Sequence, residues 1–155
     1  MKVFVDGSAH PNPGKGGFAV VCMTDDFCKV IECHQEQYEY TTNNEMELKA
    51  CLYALLQYGN IGLLFEPITV YCDSSYAIGC LTEWKNNWKK NDWLKSDNKQ
   101  PENLTIIKNY DIIEEQGYKI RLQKIKGHEG ILGNELADKL AKGEIKEKDV
   151  MKRYG

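Results

Sequence analysis

A carboxylate sits where a buried strand should end, in Lys2-Val-Phe-Val-Asp-Gly7, and it constrains this chain more than any other feature. Val3 and Val5 alternate with Lys2 and Phe4, and the run stops at Asp6-Gly7. That pattern predicts a short, largely buried strand that delivers an acid among apolar neighbours. A lone buried charge is costly unless it is paired or binds a metal. Asp6 therefore reads as the first ligand of a metal site. The alternative is a strand-end Asp that opens the turn from Gly7 to Gly17.

The loop Gly7–Gly17 holds glycines, two prolines and Asn12, and Gly14-Lys15-Gly16 superficially suggests a phosphate loop. A Walker motif needs Ser or Thr after the Lys and a Gly five residues before Gly14; Gly16 and Ala9 stand there, which excludes the ATPase reading. The stretch is better read as a tight connection that leaves backbone and Asn12 facing a ligand. Strands follow over Phe18–Met23 and Lys29–Tyr40, with a turn at Asp25-Asp26, so the chain opens as an antiparallel meander.

In TTNNEMELKACLYALLQY, Leu48, Cys51, Leu52, Leu55 and Leu56 recur at helical spacing, which predicts a helix from Glu45 to Tyr58. Asn44 is a suitable N-cap, and Asn44-x-x-Glu47 resembles a capping box. Glu47 is then either a cap partner or an acid turned towards the strand of Asp6. Ile68–Cys72 reads as a strand ending at Asp73-Ser74-Ser75, followed by a helix over Ser75–Trp84. Open α/β sheets bind ligands at that strand edge, although Asp73 or Ser74 could simply cap the helix.

The segment Trp84–Lys99 contains three Trp and five Lys against two Asp. Trp84 and Trp88 share a helical face that Trp93 could extend, and such rings commonly pack one helix on another. Lys85, Lys89 and Lys90 make a basic projection suited to phosphates, or a solvated charged face. A helix over Glu102–Gln116, a basic strand over Tyr118–Lys126 and a Gly-rich loop bearing His128 come next. A last helix spans Asn134–Ile145, with Asp138 beside the small residues Ala137 and Ala141. The stretch 146–155 is expected to be a flexible tail after a single domain over 1–145.

Composition narrows the class. The chain has 155 residues, 42% hydrophobic and 28% charged, with a formal net charge of −3. That balance suits one ordinary globular domain and argues against nucleic-acid binding by bulk charge alone. No apolar run is long enough to span a membrane, and Met1 leads directly into the first strand, leaving no room for a signal peptide. The six cysteines form no Cys-x-x-Cys. Free thiols in a reducing, cytoplasmic setting are the simplest expectation.

Taken together, FVDGSAHPNPGKGG, TTNNEMELKA, VYCDSSYA, WKNNWKKNDW, IKGHEG and GNELADKLA resemble the type 1 ribonuclease H family, in that family's order. The resemblance implies an α/β fold: a mixed five-stranded sheet, three antiparallel strands then two parallel, flanked by helices on both faces. It implies an enzyme that hydrolyses the RNA strand of RNA/DNA hybrids, leaving 5′-phosphate and 3′-hydroxyl ends. Asp6, Glu47, Asp73 and Asp138 would converge on two Mg²⁺ ions, which Mn²⁺ could replace, with His128 in an adjacent loop. Four carboxylates with no Cys ligand suit such hard cations better than zinc. Asn12 and Asn44 match contacts to the RNA strand, and Thr42 and Asn43 match contacts to the DNA strand. Lys85, Trp88, Lys89 and Lys90 match a basic protrusion that holds the hybrid. The partner would be an RNA/DNA hybrid and the protein a monomer.

Two features depart from the family pattern. Acidic Glu45 stands where well-known bacterial members carry Arg, so either hybrid affinity is lower or Lys15 or Lys124 compensates. Leu122 and Lys124 stand where some relatives have Trp. The other readings of such a chain are a resolvase or integrase of similar fold, a hybrid-binding module without catalysis, and a plain interaction domain. The KGHEG loop, the Asn44–Glu47 stretch and the complete set of four acids argue against them.

Overall fold

Two apolar cores, one on each face of a single sheet, set the architecture. The computed structural model describes residues 1–125 and 131–155. Its strands are β1 (Lys2–Ala9), β2 (Gly14–Met23), β3 (Val30–Thr41), β4 (Ile68–Cys72) and β5 (Ile120–Lys124), in the order β3-β2-β1-β4-β5. β1–β2 and β2–β3 are antiparallel, whereas β1–β4 and β4–β5 are parallel, so the mixed sheet expected from the resemblance is present.

The helices are α1 (Asn43–Tyr58), α2 (Ser75–Gly79), α3 (Lys85–Lys90), α4 (Leu104–Glu115), α5 (Leu132–Ala141) and α6 (Glu147–Tyr154), and a π-helical turn, Cys80–Trp84, joins α2 to α3. Strand alternation feeds both cores. Val3, Val5, Phe18, Val20 and Cys22 pack towards α1 and α4. Phe4, Ala19, Val21 and Met23 pack towards α5 and α6. Central strands buried on both faces read as nearly continuous apolar runs, as β1 and β2 do. All six cysteines are unpaired. No helix among the described residues is long and apolar enough to cross a membrane.

Four local expectations are corrected. The connection between β1 and β2 is not an eleven-residue loop, because Ser8 pairs with Gly17 and Ala9 with Gly16. The glycines are there for close approach rather than for turning. A Cβ on Gly7 would lie 2.3 Å from the Met46 carbonyl carbon, and one on Gly17 2.4 Å from the Gln37 side chain.

Helix α1 begins earlier than expected, capped by Thr42 rather than Asn44. Thr42 is extended (φ −125°, ψ 159°), and its hydroxyl accepts the Glu45 N–H at 3.1 Å. Glu47 therefore takes no part in a capping box.

The presumed flexible tail instead carries α6, with Val150 fully buried. Glu147 accepts the Gln35 backbone N–H at 2.7 Å, and its own N–H donates to the Gln35 side chain at 3.1 Å. Gln35 lies on edge strand β3, so this helix closes an edge that would otherwise present unpaired backbone.

The basic projection is largely spoken for. Lys85 is only 5% exposed, and its ammonium bridges Asp111 at 2.8 Å and Glu114 at 2.9 Å. Lys89 meets the other Asp111 oxygen at 2.8 Å and also contacts Glu115. Of the three lysines, Lys90 alone is left without an ion pair among the described residues.

Burial works to raise the Asp111 carboxyl, but hydrogen bonds from Lys85 and Lys89 outweigh it and hold the group below its ordinary range. Such a depressed carboxyl stabilises the fold above its unfolded value, about 3.9, and that contribution is lost as pH falls through the folded value. Removing one partner of a buried ion pair strands the other. Asp111→Ala is therefore expected to cost about 3 kcal/mol in urea unfolding at pH 7. The gap from wild type should narrow as pH falls from about 4 towards 2.

Candidate active site

The acidic cluster is assembled where the two parallel strands part. β1 pairs with β4 only as far as Phe4 opposite Tyr71, and beyond that point β1 continues with β2 alone. Asp6 lies in this diverging stretch, and Asp73 follows directly after the end of β4. The open-sheet rule places ligands in this crevice. Ser74 supplies the cap of α2, its hydroxyl accepting the Ala77 N–H at 3.0 Å, so Asp73 is free of that task. Glu47 comes from the beginning of α1, which crosses β1 in contact at Gly7. The Gly7 N–H bonds to both acids: to Asp6 at 2.9 Å and to Glu47 at 3.2 Å.

Ligand oxygens of Asp6, Glu47 and Asp73 all lie within 4.8 Å of one another. Asp138 approaches from α5, at the rim of this group. Its charge bears on Asp6, and Lys142, one helical turn on, meets its carboxylate at 3.1 Å. Ala137 and Ala141, both fully buried, let α5 sit close to the sheet. Gly133 serves the same end, since a Cβ there would strike the Phe4 ring at 2.2 Å.

Crowding shows in the protonation of the cluster. Burial raises the Asp6 carboxyl to about 7, with Asp73 and Asp138 adding to the rise and a hydrogen bond to Glu47 opposing it. Glu47 is also pushed well above its ordinary range, by burial first and then by its neighbours Cys72 and Asp6. Acids arranged in this way repel one another, and a multivalent cation relieves the repulsion. The donor set is all carboxylate oxygen, which fits Mg²⁺ or Mn²⁺.

A second group of residues forms a lip beside the cluster. The Asn43 side-chain oxygen accepts the Ala9 N–H at 2.6 Å, and the Asn43 N–H donates to the Asn12 side chain at 3.1 Å. The β1–β2 hairpin and the start of α1 are thereby locked together. Asn12 and Asn44 are exposed there, and Thr42 and Asn43 are half-buried. Glu45 turns back to contact the Thr41 hydroxyl. Lys124, one candidate to offset Glu45, contacts the Ser75 hydroxyl, whereas Lys15 is exposed.

Trp88 and Trp93 pack against the core, as rings on one helical face commonly do, and Trp84 remains 39% exposed. The structure thus brings Asp6, Glu47 and Asp73 together with Asp138 at their edge, and gathers Asn12, Thr42, Asn43 and Asn44 beside them. It does not leave Lys85 or Lys89 free. His128 lies outside the described residues. Two participants were not singled out in the sequence: the Gly7 N–H and the Cys72 thiol, which sits 3.7 Å from the Glu47 carboxylate.

A raised carboxyl destabilises the ionised fold. Between the unfolded value of about 3.9 and the folded value of Asp6, about 7, the unfolded chain gives up its proton first, so metal-free stability declines as pH rises through that window. Asp6→Asn should therefore melt higher than wild type in EDTA at pH 8, by about 1–2 kcal/mol or roughly 3–6 °C. The advantage should vanish near pH 4, and added Mg²⁺ should raise the melting temperature of wild type more than that of the variant.

The chain as a whole is similar to known proteins. Residues 1–146 match the RNase H family profile. Ribonuclease HI of Haemophilus influenzae is 40% identical over 149 residues, covering 92% of this chain and 87% of the relative. Ribonuclease H of Caldanaerobacter subterraneus subsp. tengcongensis is 37% identical over 150 residues, covering 94% and 91%. Among solved structures, the PFV RNase H domain superposes with a TM-score of 0.73 at 24% identity, covering 90% of each chain. LC11-RNase H1, solved in complex with an RNA/DNA hybrid, gives 0.60 at 20% identity, covering 97% and 96%. At these identities, the two structures speak for the fold.

Proposed function

The chain belongs to the ribonuclease H family, and from that premise we propose that it cleaves the RNA strand of RNA/DNA hybrids endonucleolytically with two divalent ions, leaving 5′-phosphate and 3′-hydroxyl ends. The observation that carries this reading is the convergence of Asp6, Glu47 and Asp73 within 4.8 Å, with Asp138 at their edge. Asp6, between the two flanks, would be shared by both ions. Glu47 and Asp73 would hold the one on the leaving-oxygen side, and Asp138 the one on the water side. When bound, such a pair of ions would stabilise charge on the attacking and leaving oxygens of an in-line displacement.

The protein's own part is placement. Gly7 fixes Asp6 and Glu47 through one N–H, and Ser74 caps α2 so that Asp73 faces the crevice. In the displacement, a water oxygen bonds to phosphorus and gives up a proton, the P–O3′ bond breaks, and the leaving O3′ takes up a proton. His128 is assigned to carry that proton or to assist product release, work that an imidazole suits.

The lip supplies selectivity. The Asn12 and Asn44 side chains are exposed beside the cluster and suit the 2′-hydroxyl, the group that distinguishes RNA from DNA. Thr42 and Asn43 each commit an oxygen inside the protein, to the Glu45 and Ala9 N–H groups. What they retain for a ligand is hydroxyl and amide hydrogen, the polarity a DNA phosphate requires. Recognition by backbone implies weak sequence preference and steep salt dependence. Within the protrusion, exposed Lys90 and the half-buried Trp88 ring are the groups assigned to the hybrid. The protein is taken to act as a cytoplasmic monomer.

On a uniform hybrid with Mg²⁺, wild type should cut the RNA strand, and Asp73→Asn should lose about 10³-fold or more of that activity. Metal-dependent cleavage that survives the substitution would refute the assignment, and hybrid binding without any cutting would leave a binding module. The protrusion can be tested separately. Lys90→Ala should lower the salt slope of hybrid binding by about 1, and Lys85→Met should leave it unchanged.

A further inference from the structure

We propose that Cys72 is a positioning residue for metal binding: its thiol orients the Glu47 carboxylate towards Asp6 and Asp73. Cys72 ends β4, is fully buried, and directly precedes Asp73. Its Sγ lies 3.7 Å from Glu47 Oε2, while the Gly7 N–H donates to Glu47 Oε1 at 3.2 Å. Each carboxylate oxygen has two lone-pair directions. One on each oxygen is thus engaged from the protein side, which fixes the plane of the group and leaves the other directions for the cluster.

The thiol is itself held in place. The Ser74 N–H donates to Sγ at 3.4 Å, and the Cys72 carbonyl accepts the Ile125 N–H at 3.0 Å. One residue therefore ties the helix that carries Glu47 to the strand end that carries Asp73. A thiol is a weak donor, so its value here lies in direction rather than in energy. Groups that orient a metal ligand from behind commonly change metal affinity by 10–100-fold when removed.

This inference rests on the reading of Glu47 as a metal ligand. The test is Mn²⁺ binding by isothermal titration calorimetry without nucleic acid, on wild type, Cys72→Val and Cys72→Ser, with melting temperatures measured in EDTA. Val keeps the site apolar, with a slightly larger side chain, and removes the donor; Ser keeps a donor. The expected result is binding about tenfold weaker in Cys72→Val and within about threefold of wild type in Cys72→Ser. That order should hold even though Val suits the apolar surroundings better and melts at least as high as Ser. A merely structural role predicts the reverse order, with affinity following melting temperature. Cys72→Val binding as tightly as wild type, or Cys72→Ser binding no better than Cys72→Val, would overturn the inference while leaving the proposed function standing. Absence of Mn²⁺ binding by wild type would overturn the metal-site reading itself, and this inference with it.

Discussion

Everything at the acidic edge of the sheet depends on how closely helix α1 crosses strand β1 at Gly7. Any side chain there would meet the α1 backbone at Met46 and Glu47, so only glycine permits the crossing. The crossing carries Glu47 to within 4.8 Å of Asp6, and the Gly7 N–H is shared between the two carboxylates. Small residues do the same on the opposite face, where Gly133, Ala137 and Ala141 let α5 bring Asp138 to the rim. The site is thus a product of backbone proximity from two sides of one sheet.

That proximity has an energetic cost. Burial and mutual repulsion press the Asp6 and Glu47 carboxyls towards their protonated forms, so the metal-free protein carries an unfavourable charge cluster at its sheet edge. The rest of the molecule offsets it. Two cores flank the sheet, α6 closes the β3 edge through Glu147, and Lys85 and Lys89 converge on Asp111. The last of these uses two of the lysines that read as a basic projection in the sequence, and their charge holds α3 against α4.

The strands, most of the helices and the position of Asp73 were readable because each depends on local pattern: alternation in β1 and β2, helical spacing in α1, and an acid just past the end of β4. Glu47 and Asp138, on helices, were singled out by the family resemblance rather than by local pattern. What escaped depends on distant partners. The Gly7 to Gly17 stretch reads as a turn because glycine marks both turns and tight contacts, and only the packed helix distinguishes them. The cap passed to Thr42 because adjacent Thr and Asn residues compete for that role and the backbone conformation decides. Lys85 and Lys89 read as a basic patch because the acids that claim them lie more than twenty residues later, on α4. Residues 146–155 look polar enough to fray, yet Val150 and the link between Glu147 and Gln35 hold them to β3. Cys72 looks like ordinary core filling until α1 is in place.

The most direct test of the central claim is a crystal structure of the Asp73→Asn variant with an RNA/DNA hybrid and Mn²⁺, read by anomalous scattering. The account predicts manganese among Asp6, Glu47 and Asp138, with an RNA-strand phosphate against it and the DNA strand towards Thr42 and Asn43. Manganese absent from the carboxylates, or the DNA strand lying across them, would contradict it.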